Sequence, residues 1–521
     1  MSQLTPDRAA PAPVVQVATT DTAAIDRIPT GIPGLDHVTM GGFPRGRVTV
    51  IAGPAGSAKT VLAGQFLAAG AATGEPGVFV TLEESAADLR RNLATLGCDV
   101  AALEQRGDWA FVDGSPRYDS HLDQAAPLHV DTLLAQIGQA VDRTGATRVV
   151  VDSFGAALAS ESDQTGGRQR LRGLLAELRR LGATVVLTVE SDHDSDGDVS
   201  VTGVEQYVAD TVVLLRNTLE AESRRRTVEV LKMRGAQHRR GQFPFTVLGG
   251  EGLMVLPISV QELDQGSTDT RISSGNRKVD ALCGGGFFRD SIVLVSGATG
   301  TGKTLLVTEF LAGGVRGGER SLMLAFEESH DQLQRNARGW GYDFAKAEAD
   351  GLLHVVSTYP EVATLEDHLV EIKRIIEEYQ PARIAIDSLS ALERVGSQKS
   401  FREFIIGLTS FVKAKQTVGL FTAATDTLLG GTSVTETHIS TLTDSIILLR
   451  YVEVFGAVKR GLTVLKMRGS DHDRDIREYS IDAEGLHVGE PFRTVAGILS
   501  GNVVNVVPTD AIDDVLPPSF R

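Results

Sequence analysis

A phosphate-binding loop written twice constrains this chain more than any other feature. Gly297-Ala298-Thr299-Gly300-Thr301-Gly302-Lys303-Thr304 is matched 244 residues earlier by Gly53-Pro54-Ala55-Gly56-Ser57-Ala58-Lys59-Thr60. In both copies an apolar run precedes the loop (Val48 to Ala52; Ile292 to Val295) and an apolar helical run follows it (Val61 to Ala69; Leu305 to Leu311). That is the strand–loop–helix setting the motif needs. The glycines let backbone N–H groups turn toward phosphate oxygens, the helix N-terminus adds positive potential, and Lys59 and Lys303 add full charges. Thr60 and Thr304 supply a hydroxyl for Mg²⁺. The first copy departs once: Ala58 replaces the last glycine, which is tolerable if the backbone there keeps a negative φ.

The repeat extends well beyond the loops. Arg27 to Asp36 is echoed by Arg271 to Asp280, Gly41-Gly42-Phe43 by Gly285-Gly286-Phe287, and Glu83-Glu84-Ser85 by Glu327-Glu328-Ser329, all at the same separation. Asp152 and Asp387, and Lys232-Met233-Arg234-Gly235 and Lys466-Met467-Arg468-Gly469, pair at a slightly shorter one. A constant register that then shrinks indicates duplication with loop deletions, and the period has the size of a domain. Within the first unit, strands are predicted at Val48 to Ala52, Gly77 to Thr81, Arg148 to Asp152 and Thr184 to Val189, with a helix from Arg168 to Leu181. Short β runs follow at Thr211 to Leu215, Thr227 to Leu231 and Phe245 to Val247. Strands alternating with helices predict an α/β fold: two tandem domains, each a mostly parallel sheet with helices on both faces. The expected organisation is an N-terminal arm over 1–24, a first domain over 25–258, a polar and acidic linker over 259–270, a second domain over 271–500 and an extended tail over 501–521.

Three further pairs carry chemistry. Asp152 and Asp387 each end a run of aliphatic residues beside the loop, the position from which a carboxylate holds Mg²⁺. Glu83-Glu84 and Glu327-Glu328 each follow a strand, where neighbouring side chains point to opposite faces. One carboxylate can then face a γ-phosphate and take a proton from water or a hydroxyl, with the other in support. Glu-Glu-Ser also suits the first turn of a helix. Lys232, Arg234, Lys466 and Arg468 end strands far from their own loops in sequence, so they suit fingers reaching a neighbouring subunit's nucleotide. Only the second unit adds a hydroxyl-rich segment, with eight Ser or Thr residues from Thr432 to Ser445. Its Ser440-Thr441 aligns with Gln206-Tyr207 of the first unit.

Composition narrows the setting. The net charge of −16 favours protein partners over nucleic acid. The dense basic runs, Arg224-Arg225-Arg226 and Arg239-Arg240, lack the interleaved aromatics of a single-strand groove. A RecA-type nucleic-acid ATPase ring is therefore the second choice. Cys98 and Cys283, one in each half, fit neither a disulfide framework nor a zinc site, so a cytoplasmic protein is expected. No apolar run approaches a membrane span, and the Ala- and Pro-rich N-terminus is unlike a secretory signal.

Taken together these residues resemble the KaiC family of circadian clock ATPases and autokinases, relatives of RecA-type ATPases. The likeness runs from about Arg27 to about Ser500. It is strongest at Gly284-Gly285-Gly286-Phe287-Phe288, the second loop, Asp387-Ser388-Leu389-Ser390-Ala391-Leu392 and His438-Ile439-Ser440-Thr441. The resemblance implies a homohexamer of two stacked rings with ATP and Mg²⁺ at subunit interfaces, the first ring hydrolysing ATP and the second phosphorylating itself. By match, Glu83 activates water and Glu327 deprotonates the acceptor hydroxyl. Ser440 and Thr441 are the phosphoacceptors, with Thr435 a further one, and Arg394 lies near the active site. Trp340 stacks on adenine where the first unit has Leu96. A KaiB-like protein on the first ring is the partner the family implies, though no motif here shows it. The tail after Asn502 is unlike the regulatory tail that binds the activator KaiA, so dependence on that activator is not expected.

Overall fold

A computed structural model describes residues 25–115, 130–153, 173, 175–193, 199–200, 209–220, 223–257, 266–425, 439–493, 495–499 and 504–505. The expected arm, the Gln206-Tyr207 pair, Thr435 and most of the expected linker and tail lie outside these residues. So does much of the Arg168 to Leu181 stretch, of which residues 173 and 175–180 are helical. By contact the chain divides into two compact units. One holds Met1–Ala52, Lys59–Leu214 and Val230–Gly241; the other holds Gly53–Ala58, Leu215–Glu229 and Gln242–Arg521.

The second loop sits in a nine-stranded sheet. Its order is Leu353–Ser357, Ser321–Ala325, Arg383–Asp387, Val418–Ala424, Ile292–Gly297, Ser445–Val454, Ala457–Met467, Arg477–Asp482 and Gly485–Pro491. The first six strands run parallel and the last three continue antiparallel. The inner parallel strands Ser321–Ala325, Arg383–Asp387, Val418–Ala424 and Ile292–Gly297 are buried along nearly all of their length, which is why they read as largely apolar runs rather than alternating ones. Helix Lys303–Arg316 covers one face through Leu306, Phe310 and Leu311. Helices Leu365–Tyr379 and Gln398–Ala414 cover the other through Leu369, Ile376, Phe404 and Leu408. Each such side chain contributes about 1.5–3 kcal/mol by leaving water.

The first copy repeats the strand order in a second nine-stranded sheet, centred on Val48–Gly53. Its late strands are longer than the short runs expected: Thr211–Glu220, Ser223–Met233 and Gln242–Leu248. Hairpin strands that leave the core carry polar residues such as Arg216 and Asn217, so hydrophobicity alone ends them too early. Among the described residues, no helix is long and apolar enough to cross a membrane.

One buried cation recurs in both copies. Arg383, 4% exposed, starts its strand and donates to Glu319 (2.8 Å), the Ser273 carbonyl (2.6 Å) and the Phe310 carbonyl (3.0 Å). Arg148, 2% exposed, donates to Glu75 (2.6 and 2.9 Å) and the Phe66 carbonyl (2.7 Å). Glycine makes the room: a Cβ on Gly314 would stand 2.7 Å from Arg383 Cδ, and one on Gly70 2.5 Å from Arg148 Cδ.

Candidate functional site

The second loop begins where strand Ile292–Gly297 ends and closes into helix Lys303–Arg316. That helix has no side-chain cap at its N-terminus, so its first N–H groups face the loop. Gly302 precedes it in the left-handed region (φ 95). Lys303 Nζ spans the turn, donating to the carbonyls of Gly297 (2.8 Å) and Ala298 (3.0 Å). Burial pulls its pKa down, against the charges of Asp387 and Glu327. Thr301 is buried and donates to the Ala298 carbonyl at 2.7 Å. Two tyrosines on the outer strands brace the turn from outside: Tyr451 donates to Thr299 O, and Tyr479 to Thr301 O. At the corresponding positions of the first copy stand Asn217 and Phe245, so these braces belong to the second copy.

Beneath the loop, Thr304 Oγ1 donates to Asp387 Oδ2 at 2.7 Å, and Thr422 to Asp387 Oδ1 at 2.5 Å. Asp387 ends strand Arg383–Asp387, as the sequence predicts. The first copy has the same arrangement. Thr60 and Thr188 hydrogen-bond Asp152, whose pKa burial pushes up. Lys59 is likewise lowered by burial, opposed by Glu190, Asp152 and Glu83. A hydroxyl and a carboxylate meeting under a loop rich in N–H groups fit Mg²⁺, which takes one or two protein oxygens and fills its shell with phosphate and water. Among the described residues there is no cluster of three or more His, Cys, Asp or Glu that would cage a metal.

The Glu pairs are placed differently from expectation. The strands end at Thr81 and Ala325, and both pairs lie in the bend that follows. Ser85 and Ser329 then cap the next helices. A bend, not strand alternation, splits each pair. Glu327 accepts from Ser388 (3.2 Å) and Arg394 (2.8 Å), toward the end of the Asp387 strand. Glu328 turns back to Asn336 on the capped helix (2.9 Å), and burial, reinforced by Asp387, raises its pKa. In the first copy Ser153 donates to Glu83 and Asn92 to Glu84 (3.0 Å), and burial and Asp152 raise Glu84. Sequence reasoning missed Ser153, Ser388, Asn92, Asn336, Thr188 and Thr422, although each recurs at the repeat spacing. Trp340 caps the end of helix His330–Gly339 and packs partly buried on the core. Leu96 in the first copy is also half-buried.

Ala58 overturns the negative-φ condition: it adopts φ 67. The turn into the helix demands a left-handed residue there, and it overrides alanine's preference at about 1–2 kcal/mol. The second copy is tighter. A Cβ on Gly302 would lie 2.6 Å from Ile481 Cδ1, and the residue matching Ile481 in the first copy is the shorter Val247. Gly302→Ala is therefore expected to weaken ATP binding at the second site about tenfold, the left-handed cost alone being about 1–2 kcal/mol. Adding Ile481→Val should recover part of that loss in calorimetric titration; no recovery would show that crowding by Ile481 is unimportant.

The remaining predicted residues lie at the end of the sheet opposite the loop. Strand Ser445–Val454 runs parallel to Ile292–Gly297, with Ser445 beside Val293 and Leu449 beside Gly297. Lys466 and Met467 pair with Ile446 and Ser445, so Lys466 and Arg468 sit at the end opposite their own loop. Lys466 Nζ donates to the Thr443 carbonyl (2.6 Å) and Arg468 to the Thr441 carbonyl (2.8 Å). Ile439–Thr441 is a 3₁₀ turn on that same edge, with Thr441 exposed. In the first copy Lys232 donates to the Ala209 carbonyl (2.8 Å), and the Arg234 N–H donates to the Asp210 carbonyl (2.9 Å).

Comparison with known proteins agrees with this geometry. The family model described as "ATPase: KaiC" matches residues 28–260 and again 272–492. The chain is 54% identical over 481 residues to the circadian clock protein KaiC3 of Synechocystis sp., covering 92% of this chain and 95% of that one. It is 45% identical over 485 residues to the circadian clock oscillator protein KaiC of Thermostichus vulcanus, covering 93% of each. Two phosphate-binding loops, each backed by a threonine–aspartate pair in its own sheet, and two matches to one family model lead to the same conclusion: the chain belongs to the KaiC ATPase family, with two KaiC ATPase repeats in tandem.

Proposed function

We propose that the chain is a ring-forming ATPase and Ser/Thr autokinase, a homohexamer whose first repeat hydrolyses ATP and whose second phosphorylates Ser440 and Thr441. Strand register carries the reading. The acceptor turn and its loop lie at opposite ends of one sheet, separated by at least four strand residues, about 13 Å. Phosphoryl transfer needs reacting atoms about 3–3.5 Å apart. Transfer within one chain is out of reach, whereas a head-to-tail contact brings one subunit's acceptor edge to the next subunit's loop, and such contacts close into rings.

In this reading Lys303, Gly297, Gly300, Thr301 and Gly302 hold the ATP phosphates, as Lys59, Gly53 and Gly56 do in the first repeat, and Trp340 flanks the base. Thr304 with Asp387, and Thr60 with Asp152, would hold Mg²⁺, which neutralises phosphate charge. Glu327 takes the acceptor proton as the hydroxyl oxygen bonds to the γ-phosphorus and ADP leaves; Glu328 supports it from the same bend, tied to Asn336 of the capped helix. Glu83 plays the matching part toward water, supported by Glu84. Lys466 and Arg468, and Lys232 and Arg234, reach the neighbour's phosphates. Each phosphate adds about −1.5 to −2 charges at the interface, a signal that a KaiB-like partner of the first ring could read. The relatives' clock names extend the reading to a timing role. Incubating the purified chain with ATP and Mg²⁺ and mapping phosphopeptides tests it: phosphate is expected on Ser440 or Thr441, and its absence from both would reject the autokinase reading.

A further inference from the structure

Lys466 and Arg468 stand at the end of the sheet opposite the second loop. Here both are already engaged, and with the acceptor segment of their own chain. Ile439 is buried and anchors a single turn. The Leu442 and Thr443 N–H groups both donate to the Ile439 carbonyl, at 2.9 and 3.2 Å. Two further carbonyls of that segment are taken by side chains from strand Ala457–Met467 and its end: Thr441 O by Arg468 and Thr443 O by Lys466. The Arg468 N–H also donates to the Asp444 carbonyl at 2.9 Å, and Lys413 holds the Asp444 carboxylate at 2.8 Å. Thr443 is fully buried while Thr441 is exposed. The turn is therefore pinned on its inner side and presents Thr441 outward.

We propose that Arg468 is a positioning residue for the acceptor: by holding the Thr441 carbonyl it sets which hydroxyl of the Ser440–Thr441 pair meets the neighbouring subunit's ATP. This rests on the autokinase reading. A guanidinium has five N–H donors in a planar fork, so with Nη2 on the Thr441 carbonyl and Nη1 3.7 Å from Asp444 Oδ1 it still carries donors for an anion. Nucleotide arriving across a subunit interface and the choice of acceptor are then linked through one side chain. A lysine carries its three donors on one nitrogen, so it serves both partners only where they converge on a single point, whereas the fork reaches partners that lie apart.

Phosphate on Ser440 and on Thr441 is quantified separately by mass spectrometry in the full chain, in Arg468→Ala and in Arg468→Lys, alongside hydrogen exchange at the Leu442 and Thr443 amides. Loss of a charge-assisted hydrogen bond predicts exchange about tenfold faster or more in Arg468→Ala, and a changed Ser440-to-Thr441 ratio. Arg468→Lys should restore protection while keeping the ratio altered. A finger acting on nucleotide alone lowers both phosphates in proportion and leaves exchange at the turn unmoved, and that pattern overturns the proposal. A wild-type chain with phosphate on neither residue rejects the autokinase reading itself, and this inference with it. A phosphorylated wild type whose ratio survives Arg468→Ala rejects the inference alone.

Discussion

Glu327→Gln is expected to lower phosphate incorporation at Ser440 and Thr441 by about 10²–10⁴-fold, the usual worth of a placed general base, and to leave ATP binding largely intact. The substitution keeps size and hydrogen-bonding capacity but removes the ability to accept a proton. Binding should survive because Lys303 bonds the Gly297 and Ala298 carbonyls and Thr304 bonds Asp387, whereas the hydrogen bonds of Glu327 run to Ser388 and Arg394. Glu327 rather than its neighbour carries the prediction because of where each carboxylate goes. Glu328 is drawn back to Asn336 and partly buried, and a glutamine there can still accept that bond. Glu327 is about half exposed, 48% by side chain, and is oriented by Ser388 and Arg394. Glu328→Gln should therefore cost much less. Phosphopeptide quantification after a fixed time with ATP and Mg²⁺, with calorimetric ATP binding as the control, separates the two. The first repeat gives an internal comparison: Glu83→Gln should remove most ATP hydrolysis while sparing phosphorylation. If hydrolysis survived Glu83→Gln but fell with Glu327→Gln, the strained Ala58 loop would be the silent one. Unchanged phosphorylation in Glu327→Gln would assign the base elsewhere.

Much of this arrangement is legible in the sequence because it is local. The loops, the Asp ending each aliphatic run and the strand–helix alternation are all set within a few residues. Duplication doubles the signal, so Asp152 and Asp387 support one another. What escaped is long-range or conformational. Thr422 reaches Asp387 from the adjacent strand, and Tyr451 and Tyr479 brace the loop from strands about 150 or more positions away; no local pattern brings such residues together. The left-handed backbone of Ala58 is imposed by the turn, against the residue's own preference. The sequence places each Glu pair directly after a strand running to Leu82 or Phe326, because apolar residues continue that far; both are buried just beyond the last paired residue. Hydrophobicity marks burial there, and pairing stops one residue earlier.

The buried arginine that both copies share offers the largest expected effect on stability. Arg383→Ala should cost the second unit about 3–5 kcal/mol, the penalty for removing one partner of a buried ion pair. The loss has three parts. Glu319 keeps its charge without its partner, the Ser273 and Phe310 carbonyls lose their donor, and the guanidinium no longer packs 5.2 Å over the Phe310 ring. Because Gly314 leaves the room that the arginine fills, alanine at 383 also leaves a void beside it. The chain's two tryptophans make the unit-by-unit reading possible: Trp340 reports on the second copy and Trp109, stacked on Phe79, on the first. In single-tryptophan backgrounds, urea unfolding followed by fluorescence should show an early transition at Trp340 for Arg383→Ala and at Trp109 for Arg148→Ala. The first copy adds a pH signature. Burial pushes the Glu75 carboxyl up, but hydrogen bonds and charge from Arg148 and Arg45 outweigh it and hold it below its ordinary value of 4.5. Its contribution is thus complete above that value and is lost as pH falls through the lower folded value. Arg148→Ala should flatten that acid limb of the Trp109 transition. A Trp340 midpoint unmoved by Arg383→Ala would mean that water enters the site and replaces the guanidinium at little cost.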